Sequence, residues 1–128
     1  MHRLPLRVLV VDDHEDVADT WAMLLRMHGF DVAVALDGVE ALVVAEARRP
    51  HVILCDIRMP RLDGYGVAKE LCEKGKDRPF LVAVTAHGSD EDRRRSHEAG
   101  FDRHFVKPAD PDEIVLLLQR LASSLAGG

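Results

Sequence analysis

Acidic side chains follow two short apolar runs of this chain. Asp12 and Asp13 come directly after residues 8–11, and Asp56 comes directly after residues 52–55. Carboxylates gathered in one crevice repel one another, so such a group either holds protons more tightly or binds a hard cation. Mg²⁺ fits best, because it keeps several waters and takes only one or two carboxylates together with phosphate oxygens.

A hydroxyl and a lysine follow two further apolar runs. Thr85 comes after residues 80–84, and Lys107 comes after residues 104–106 and is followed by Pro108. Both side chains can donate hydrogen bonds to phosphoryl oxygens. A metal, a lysine, a hydroxyl and a nucleophilic carboxylate are sufficient to form an aspartyl-phosphate. Asp56 is the predicted nucleophile, because it stands alone after the central run.

Short β-branched runs alternate with helix-length amphipathic segments along the chain, which is typical of βα units that build a parallel sheet. The predicted strands cover residues 8–11, 31–35, 52–55, 80–84 and 104–106. Right-handed crossovers predict an α/β, doubly wound (βα)5 fold with helices on both faces of the sheet. Ligands of such sheets bind at the carboxyl ends of the strands, where the polar residues described above lie.

Two of the segments that follow the predicted strands carry apolar residues at clear helical spacing. In the first, apolar residues recur at helical spacing and the pattern ends at Gly29. The last segment begins with Asp110 and Pro111, which suit a helix N-cap and first turn. The predicted buried stripes are Val17, Trp21, Leu24 and Leu25 in the first helix, and Ile114, Leu117, Leu118, Leu121 and Leu125 in the last.

Length and composition indicate one soluble domain. The 128 residues are 47% hydrophobic, and 17 basic residues against 22 acidic ones give a net charge of −5. We expect residues 1–128 to form a single domain with short tails at residues 1–6 and 126–128. An acidic balance argues against nucleic-acid binding, and no apolar stretch is long enough to span a membrane or act as a signal peptide. The expected location is the cytoplasm, where Cys55 and Cys72 would stay reduced.

The motifs together resemble the receiver (response-regulator) domains of two-component signalling, of the stand-alone or hybrid-kinase type. The resemblance covers the whole chain, in the family's order and spacing. It is carried by residues 10–13 (VVDD), 56–60 (DIRMP), 63–64 (DG), 85–86 (TA), 99–102 (AGFD) and 106–108 (VKP). The resemblance implies the flavodoxin-like strand order 2-1-3-4-5.

The resemblance also implies roles for individual residues. Asp56 would accept a phosphoryl group from a phosphohistidine on a sensor histidine kinase or a histidine phosphotransfer protein. Asp13, Asp56 and the backbone carbonyl of Arg58 would ligate Mg²⁺, and Asp12 would act largely through water. Thr85 and Lys107 would contact the phosphoryl group, which would switch the surface formed by the last two βα units. The Lys107–Pro108 bond would be cis, a form that only bonds preceding proline adopt readily.

Three histidines and an arginine need separate treatment. His104 stands where the family often carries the switch residue Tyr or Phe, so it either makes the output face sensitive to pH or is a neutral histidine at a strand end. His14 could be a further metal ligand, although imidazole prefers softer metals than the surrounding oxygens do. Arg58 and His87 each lie two residues beyond a site residue, and the resemblance implies that residues at these positions control how water approaches the aspartyl-phosphate.

Three other classes of protein share the fold or the site residues of a phosphoacceptor. A flavodoxin-like cofactor carrier needs a Gly/Ser/Thr loop after the first strand, but residues 12–16 read DDHED. An Mg²⁺-dependent aspartyl-phosphate phosphatase usually carries its nucleophile after the first strand, with a second acid two residues later. A pseudo-receiver interaction module would lack site residues that are present here. The preferred interpretation is therefore a phosphoacceptor and not a turnover enzyme.

Overall fold

The chain folds around a five-stranded parallel sheet in the order β2-β1-β3-β4-β5. This is a computed structural model that describes residues 5–127. The elements are β1 (Arg7–Val11), α1 (Glu15–Met27), β2 (Asp31–Ala35), α2 (Gly38–Arg48), β3 (Val52–Cys55), α3 (Gly64–Cys72), a 3₁₀ turn (Gly75–Asp77), β4 (Phe80–Thr85), α4 (Asp90–Ala99), β5 (Arg103–Val106) and α5 (Pro111–Gly127). The predicted fold and strand order are confirmed.

Alternate side chains of the central strands pack into two separate hydrophobic cores, one on each face of the sheet. Val8 and Val10 of β1 point to one face of the sheet, where residues of α1 and α5 cover them. Leu9 and Val11 point to the other face, where residues of α2 and α3 cover them. Because side chains alternate along a strand, a strand buried on both faces must be apolar throughout, as the short runs in the sequence are.

The buried face of α1 differs from the predicted stripe. The fully buried positions are Ala18, Ala22 and Leu25, whereas Val17 is 37% exposed. Leu25 is therefore the one predicted position that is fully buried. The buried face of α1 is therefore centred one residue further along the chain than the predicted stripe, on small alanine side chains that can pack closely against the sheet.

Both ends of the domain also differ from expectation. Leu6 falls within the expected tail of residues 1–6, but it is only 5% exposed, and its carbonyl accepts a hydrogen bond from the amide of Asp31. Residues 1–4 of that tail and residue 128 lie outside the described part of the chain. The helix α5 continues to Gly127, so residues 126 and 127 are helical and not a tail. The buried stripe of α5 ends early, because Leu125 is 59% exposed.

An ion pair fastens the amino ends of β4 and β5. The guanidinium of Arg78 donates to both carboxylate oxygens of Asp102, at 2.9 and 3.0 Å. Asp102 also accepts the backbone amide of Leu81 at 2.8 Å. This bidentate pair joins the segment before β4 to the segment between α4 and β5.

Two further findings concern the class of protein. Cys55 and Cys72 are both free thiols, and burial raises the pKa of the Cys55 thiol. Within residues 5–127, no helix has both the length and the apolar character that a membrane crossing requires.

Candidate functional site

The backbone ladder of the sheet continues one residue beyond the strands and sets the site residues side by side. The backbone amide of Asp12 donates to the carbonyl of Ala35 at 3.2 Å, and the amide of Asp56 donates to the carbonyl of Val11 at 2.9 Å. The amide of Lys107 donates to the carbonyl of Thr85 at 2.8 Å. The backbones of Asp12, Asp56 and Lys107 therefore stay paired with the neighbouring strand at the carboxyl edge of the sheet. The sequence predicted that these residues converge at the carboxyl edge, and the structure brings them together there.

Three carboxylates and one imidazole form a compact cluster at this edge. Ligand atoms of Asp12, Asp13, His14 and Asp56 all lie within 4.8 Å of one another. Asp13 Oδ1 is buried and, within the described part of the chain, accepts no hydrogen bond. Its polar neighbour is His14 Nδ1 at 3.2 Å, on a side chain that is 70% exposed, so this buried oxygen lacks a hydrogen bond and fits a cation. The three carboxylates supply the oxygen ligands that suit Mg²⁺.

Lys107 supplies positive charge to the same cluster. Its ammonium lies 3.1 Å from Asp12 Oδ2 and 3.4 Å from Asp56 Oδ2. Burial alone would lower the pKa of Lys107, but the hydrogen bond to Asp12 and the charges of both carboxylates outweigh burial and raise the pKa. The lysine is therefore held in its charged form between two acidic side chains.

Asp56 has two differently occupied oxygens. Oδ1 accepts the amide of Ile57 at 2.8 Å, and Oδ2 faces Lys107. Burial raises the pKa of Asp56 and the charge of Asp12 adds to this effect, while Lys107 and the Ile57 amide oppose it. The carboxylate is thus destabilised by its surroundings and would gain from an additional cation nearby.

Thr85 is buried at the end of β4, next to β5. Its Oγ1 accepts the backbone amide of His87 at 3.3 Å. The hydroxyl proton of Thr85 is not used in that bond and can be donated elsewhere. Thr85 therefore offers a hydrogen-bond donor at the same edge as Asp56 and Lys107.

His104 uses both of its ring nitrogens. Nδ1 lies 2.9 Å from Ser96 Oγ on α4, and Nε2 lies 2.9 Å from the carbonyl oxygen of His87. His104, the second residue of β5, is therefore tied to α4 and to the loop that precedes α4. Whether His104 makes the protein sensitive to pH stays a prediction.

The remaining predicted residues lie around the cluster. The side chain of Arg58 is exposed in the loop after Asp56, and ligation by its carbonyl stays a prediction. The Lys107–Pro108 bond is cis, as the resemblance implies. His14 Nδ1 lies 3.2 Å from oxygens of Asp12 and Asp13, but its side chain is 70% exposed. A metal-ligand role for His14 likewise stays a prediction.

Sequence reasoning missed Ser96. It lies on α4, whose sequence is strongly polar, and it is 1% exposed. Among the ten residues of α4, the buried positions are Ser96 and Ala99, three residues apart. A helical pair of small residues beside Gly100 could have identified the face of α4 that meets the sheet.

The acidic cluster lies apart from the two larger clefts found among the described residues. Larger clefts, of about 380 and 460 Å³, lie around His51 and Arg78 and hold none of the clustered carboxylates. A much smaller cavity lies beneath the cluster and is lined by Trp21, Asp12 and Asp56. Trp21 therefore lies close enough to Asp12 and Asp56 to report on changes at the cluster.

Comparison with known sequences gives a consistent result. The family model for the response regulator receiver domain matches residues 8–119. The transcriptional regulatory protein PrrA of Mycobacterium tuberculosis is 44% identical over 115 residues, which are 90% of this chain and 49% of PrrA. The response regulator MprA of Mycobacterium sp. strain KMS is 38% identical over 118 residues, which are 92% of this chain and 51% of MprA. The chain spans about half the length of these curated relatives.

Solved structures agree with the sequence comparison. The receiver domain of the Francisella response regulator 1452 superposes with a TM-score of 0.86 at 29% identity, covering 94% of this chain and 98% of that domain. The chemotaxis protein CheY4 of Vibrio cholerae superposes with a TM-score of 0.85 at 28% identity, covering 92% of this chain and 99% of that protein.

Proposed function

Because the chain belongs to the response regulator receiver domain family, we propose that Asp56 accepts a phosphoryl group from a phosphohistidine. The donor would be a sensor histidine kinase or a histidine phosphotransfer protein. The observation that carries this proposal is the position of Asp56. Its carboxylate is buried at the centre of the carboxyl edge, with Lys107 3.4 Å from Oδ2 and two further carboxylates beside it.

The proposed reaction is a single displacement at phosphorus. Asp56 Oδ2 forms an oxygen–phosphorus bond while the phosphorus–nitrogen bond of the phosphohistidine breaks, and the electron pair returns to the imidazole nitrogen. We assign the attack to Oδ2 because its contact with Lys107 is long, at 3.4 Å, whereas Oδ1 accepts the amide of Ile57 at 2.8 Å. The protein's contribution is to position the reactants and to stabilise the charge on the transferred group.

Lys107 and Thr85 would hold the transferred group. Lys107 is charged and lies beside Asp56 Oδ2, so it can pair with a phosphoryl oxygen once that atom is esterified. Thr85 can donate its free hydroxyl proton to another oxygen. Engaging both residues would bias the last two βα units towards a second arrangement, which is the proposed output.

Mg²⁺ is the proposed cofactor, and Asp12, Asp13 and Asp56 would hold it together with the carbonyl of Arg58. The buried oxygen of Asp13 that accepts no hydrogen bond from the described residues supports this assignment. When bound, the ion would neutralise charge on the carboxylates and on the incoming phosphoryl oxygens.

The proposed partners of residues 1–128 are proteins that carry phosphohistidine, and the proposed location is the cytoplasm. A net charge of −5 disfavours phosphate backbones as partners of these residues. PrrA is named a transcriptional regulatory protein, but this chain spans only 49% of it. We therefore limit the proposed partners to those of the receiver domain.

Incubation with acetyl phosphate and Mg²⁺, followed by intact mass spectrometry, tests the proposal. We expect the wild type to gain one phosphate and Asp56→Asn to gain none. Asp77→Asn is the matched control, because this aspartate lies in the 3₁₀ turn beside the clefts at His51 and should leave phosphorylation unchanged. A wild type that gains no phosphate, or an Asp56→Asn variant that still gains one, would contradict the proposal.

The same sample separates a phosphoacceptor from a phosphatase. We expect a small phosphate ester to give no more product than one equivalent of protein over the time in which acetyl phosphate labels Asp56. Many turnovers of the ester would favour the phosphatase alternative.

A further inference from the structure

Two adjoining clefts lie at the amino ends of β1, β3 and β4, on the edge of the sheet opposite the acidic cluster. Their volumes are about 380 and 460 Å³, and both are lined by His51, Arg78, Pro79 and Leu125. Pockets for small-molecule ligands typically measure roughly 300–1,000 Å³. Because the two clefts share four residues, we treat them as one binding region and call it the amino-edge cleft.

Part of the lining of the amino-edge cleft is apolar. Val52, Phe80 and Leu121 lie there together with Leu125, whose side chain is 59% exposed. A ligand with an apolar or aromatic body would remove these side chains from water, which is favourable. The cleft therefore offers more than a charged surface to a ligand.

Cationic side chains line the rest of the amino-edge cleft. The five cations are Arg7, Arg49, Lys74, Lys76 and Arg78. The acidic side chains that line the cleft or pair with these cations are Glu46, Asp77 and Asp102. Five positive charges against three negative ones give a local balance of +2, whereas the whole chain carries −5. The cleft is therefore a positive region on an acidic protein, and such a region attracts anions.

Two of the five cations have no acidic partner. The guanidinium of Arg7 donates through Nε and Nη2 to the backbone carbonyl of Arg49, at 2.9 and 2.7 Å, and this acceptor is neutral. Within the described part of the chain, no ion pair involves Arg7 or Lys76. The other three cations are paired with carboxylates. Arg7 is thus held in place with further N–H groups to donate, and both charges are available to a bound anion.

His51 lies in the same cleft and responds to the charge of Arg7. Its Nδ1 accepts the backbone amide of Arg7 at 2.9 Å, so the neutral ring carries its proton on Nε2. Burial lowers the pKa of His51, and the positive charge of Arg7 lowers it further. An anion bound beside Arg7 would offset that charge, so His51 can report on whether the cleft is occupied.

We propose that the amino-edge cleft binds an organic phosphate of nucleotide size, whose phosphate pairs with Arg7 and Lys76 and whose apolar or aromatic body packs on Leu121 and Leu125. A phosphate monoester carries about two negative charges at neutral pH, which matches the local balance of the cleft. Arginine and lysine are the usual partners of phosphate oxygens. This site is separate from Asp56, and the proposal does not depend on phosphorylation of that residue.

Isothermal titration calorimetry with ADP tests the proposal. The buffer contains EDTA, so that no metal ion can hold phosphate at the acidic cluster. We expect the wild type to bind one ADP per chain. Lys76→Gln should weaken this binding at least about fivefold, because it removes a charge that pairs with the phosphate. Asp77→Asn should tighten it, because it removes a negative charge from the lining.

Arg94→Gln is the matched control for charge. It removes one positive charge from an exposed side chain of α4 that does not line the cleft. Its affinity for ADP should stay within about twofold of the wild type, since salt screens distant exposed charges. No saturable binding of ADP by the wild type, or equal weakening by Lys76→Gln and Arg94→Gln, would overturn the proposal.

Pyrophosphate separates the charged part of the proposal from the apolar part, because it carries phosphate charge without an apolar body. Leu125→Ala shortens an exposed side chain near the end of α5 and should weaken ADP binding at least about threefold. The same variant should bind pyrophosphate as the wild type does, whereas Lys76→Gln should weaken the binding of both. Wild-type affinity of Leu125→Ala for ADP would overturn the proposal.

Proton NMR of the histidine rings locates the bound ADP. We expect ADP to shift the ring signals of His51 and to raise the pKa of that histidine, because the bound phosphate offsets the charge of Arg7. The ring signals of His97, on α4 and outside the cleft, should stay where they are. Binding of ADP that leaves the His51 signals unchanged would place the ligand elsewhere and overturn the proposal.

Discussion

Replacing Gly64 with alanine tests how closely α3 must approach the backbone of Asp56, the residue that follows β3. Gly64 is the first residue of α3, and its amide donates to the carbonyl of Ile57 at 2.7 Å. A Cβ added at Gly64 would lie 2.5 Å from the carbonyl oxygen of Asp56 and 2.8 Å from the Cα of Ile57. Both obstacles are backbone atoms, which cannot rotate away.

The size of the effect follows from these distances. The 2.5 Å separation is about 0.9 Å shorter than ordinary contact at 3.4 Å, so either α3 or the residue after β3 must shift. Overpacking of this kind costs about 1–3 kcal/mol. The greater helix preference of alanine offsets at most about 1 kcal/mol of that cost. We therefore expect Gly64→Ala to lower the free energy of unfolding by about 2 kcal/mol.

Urea denaturation followed by the fluorescence of Trp21, the single tryptophan, measures this change. Gly66→Ala is the matched control, because it lies in the same helix but its added Cβ would meet the rotatable end of the Leu62 side chain. The control should be as stable as the wild type or more stable. The reasoning is refuted if Gly64→Ala is as stable as the wild type, or if both variants lose the same free energy.

Two further predictions concern protons and metal. Burial, together with the charge of Arg7, lowers the pKa of His51, and His51 Nδ1 accepts the Arg7 amide at 2.9 Å. Part of the free energy of unfolding present at neutral pH should therefore be lost as the pH falls below 6.5, the ordinary pKa of histidine. In urea denaturation between about pH 7 and about pH 5, His51→Asn should lose less stability than the wild type. An equal dependence of stability on pH in the two proteins would contradict this prediction. Asp13→Asn should weaken Mg²⁺ binding at least about tenfold in a Trp21 fluorescence titration, whereas an equal affinity would exclude Asp13 as a ligand.

The location of the site could be predicted because the chemistry-bearing residues directly follow apolar runs. In a parallel sheet the carboxyl ends of the strands share one edge, so the positions of Asp12, Asp56, Thr85 and Lys107 along the chain already place them together. The backbone bonds from Asp56 to Val11 and from Lys107 to Thr85 carry out this placement.

Contacts that depend on how a helix lies on the sheet could not be predicted. The spacing of apolar residues favoured Val17 as a buried position of α1, but Ala18 and Ala22 are the buried residues and Val17 is exposed. The bond between Ser96 and His104 depends in the same way on where α4 crosses β5. A polar helix gives little periodic signal, so its inward face becomes clear only once the elements are packed.

The ion pair between Arg78 and Asp102 has a mechanical consequence for α4. The helix starts at Asp90, beyond Thr85 at the carboxyl edge, and ends at Ala99, shortly before Asp102 at the opposite edge. Two charge-assisted bonds and the Leu81 amide immobilise the Asp102 end. Any movement of α4 that begins at Thr85 would therefore be a rotation about the Asp102 end, with the largest displacement near Ser89 and the smallest near Gly100.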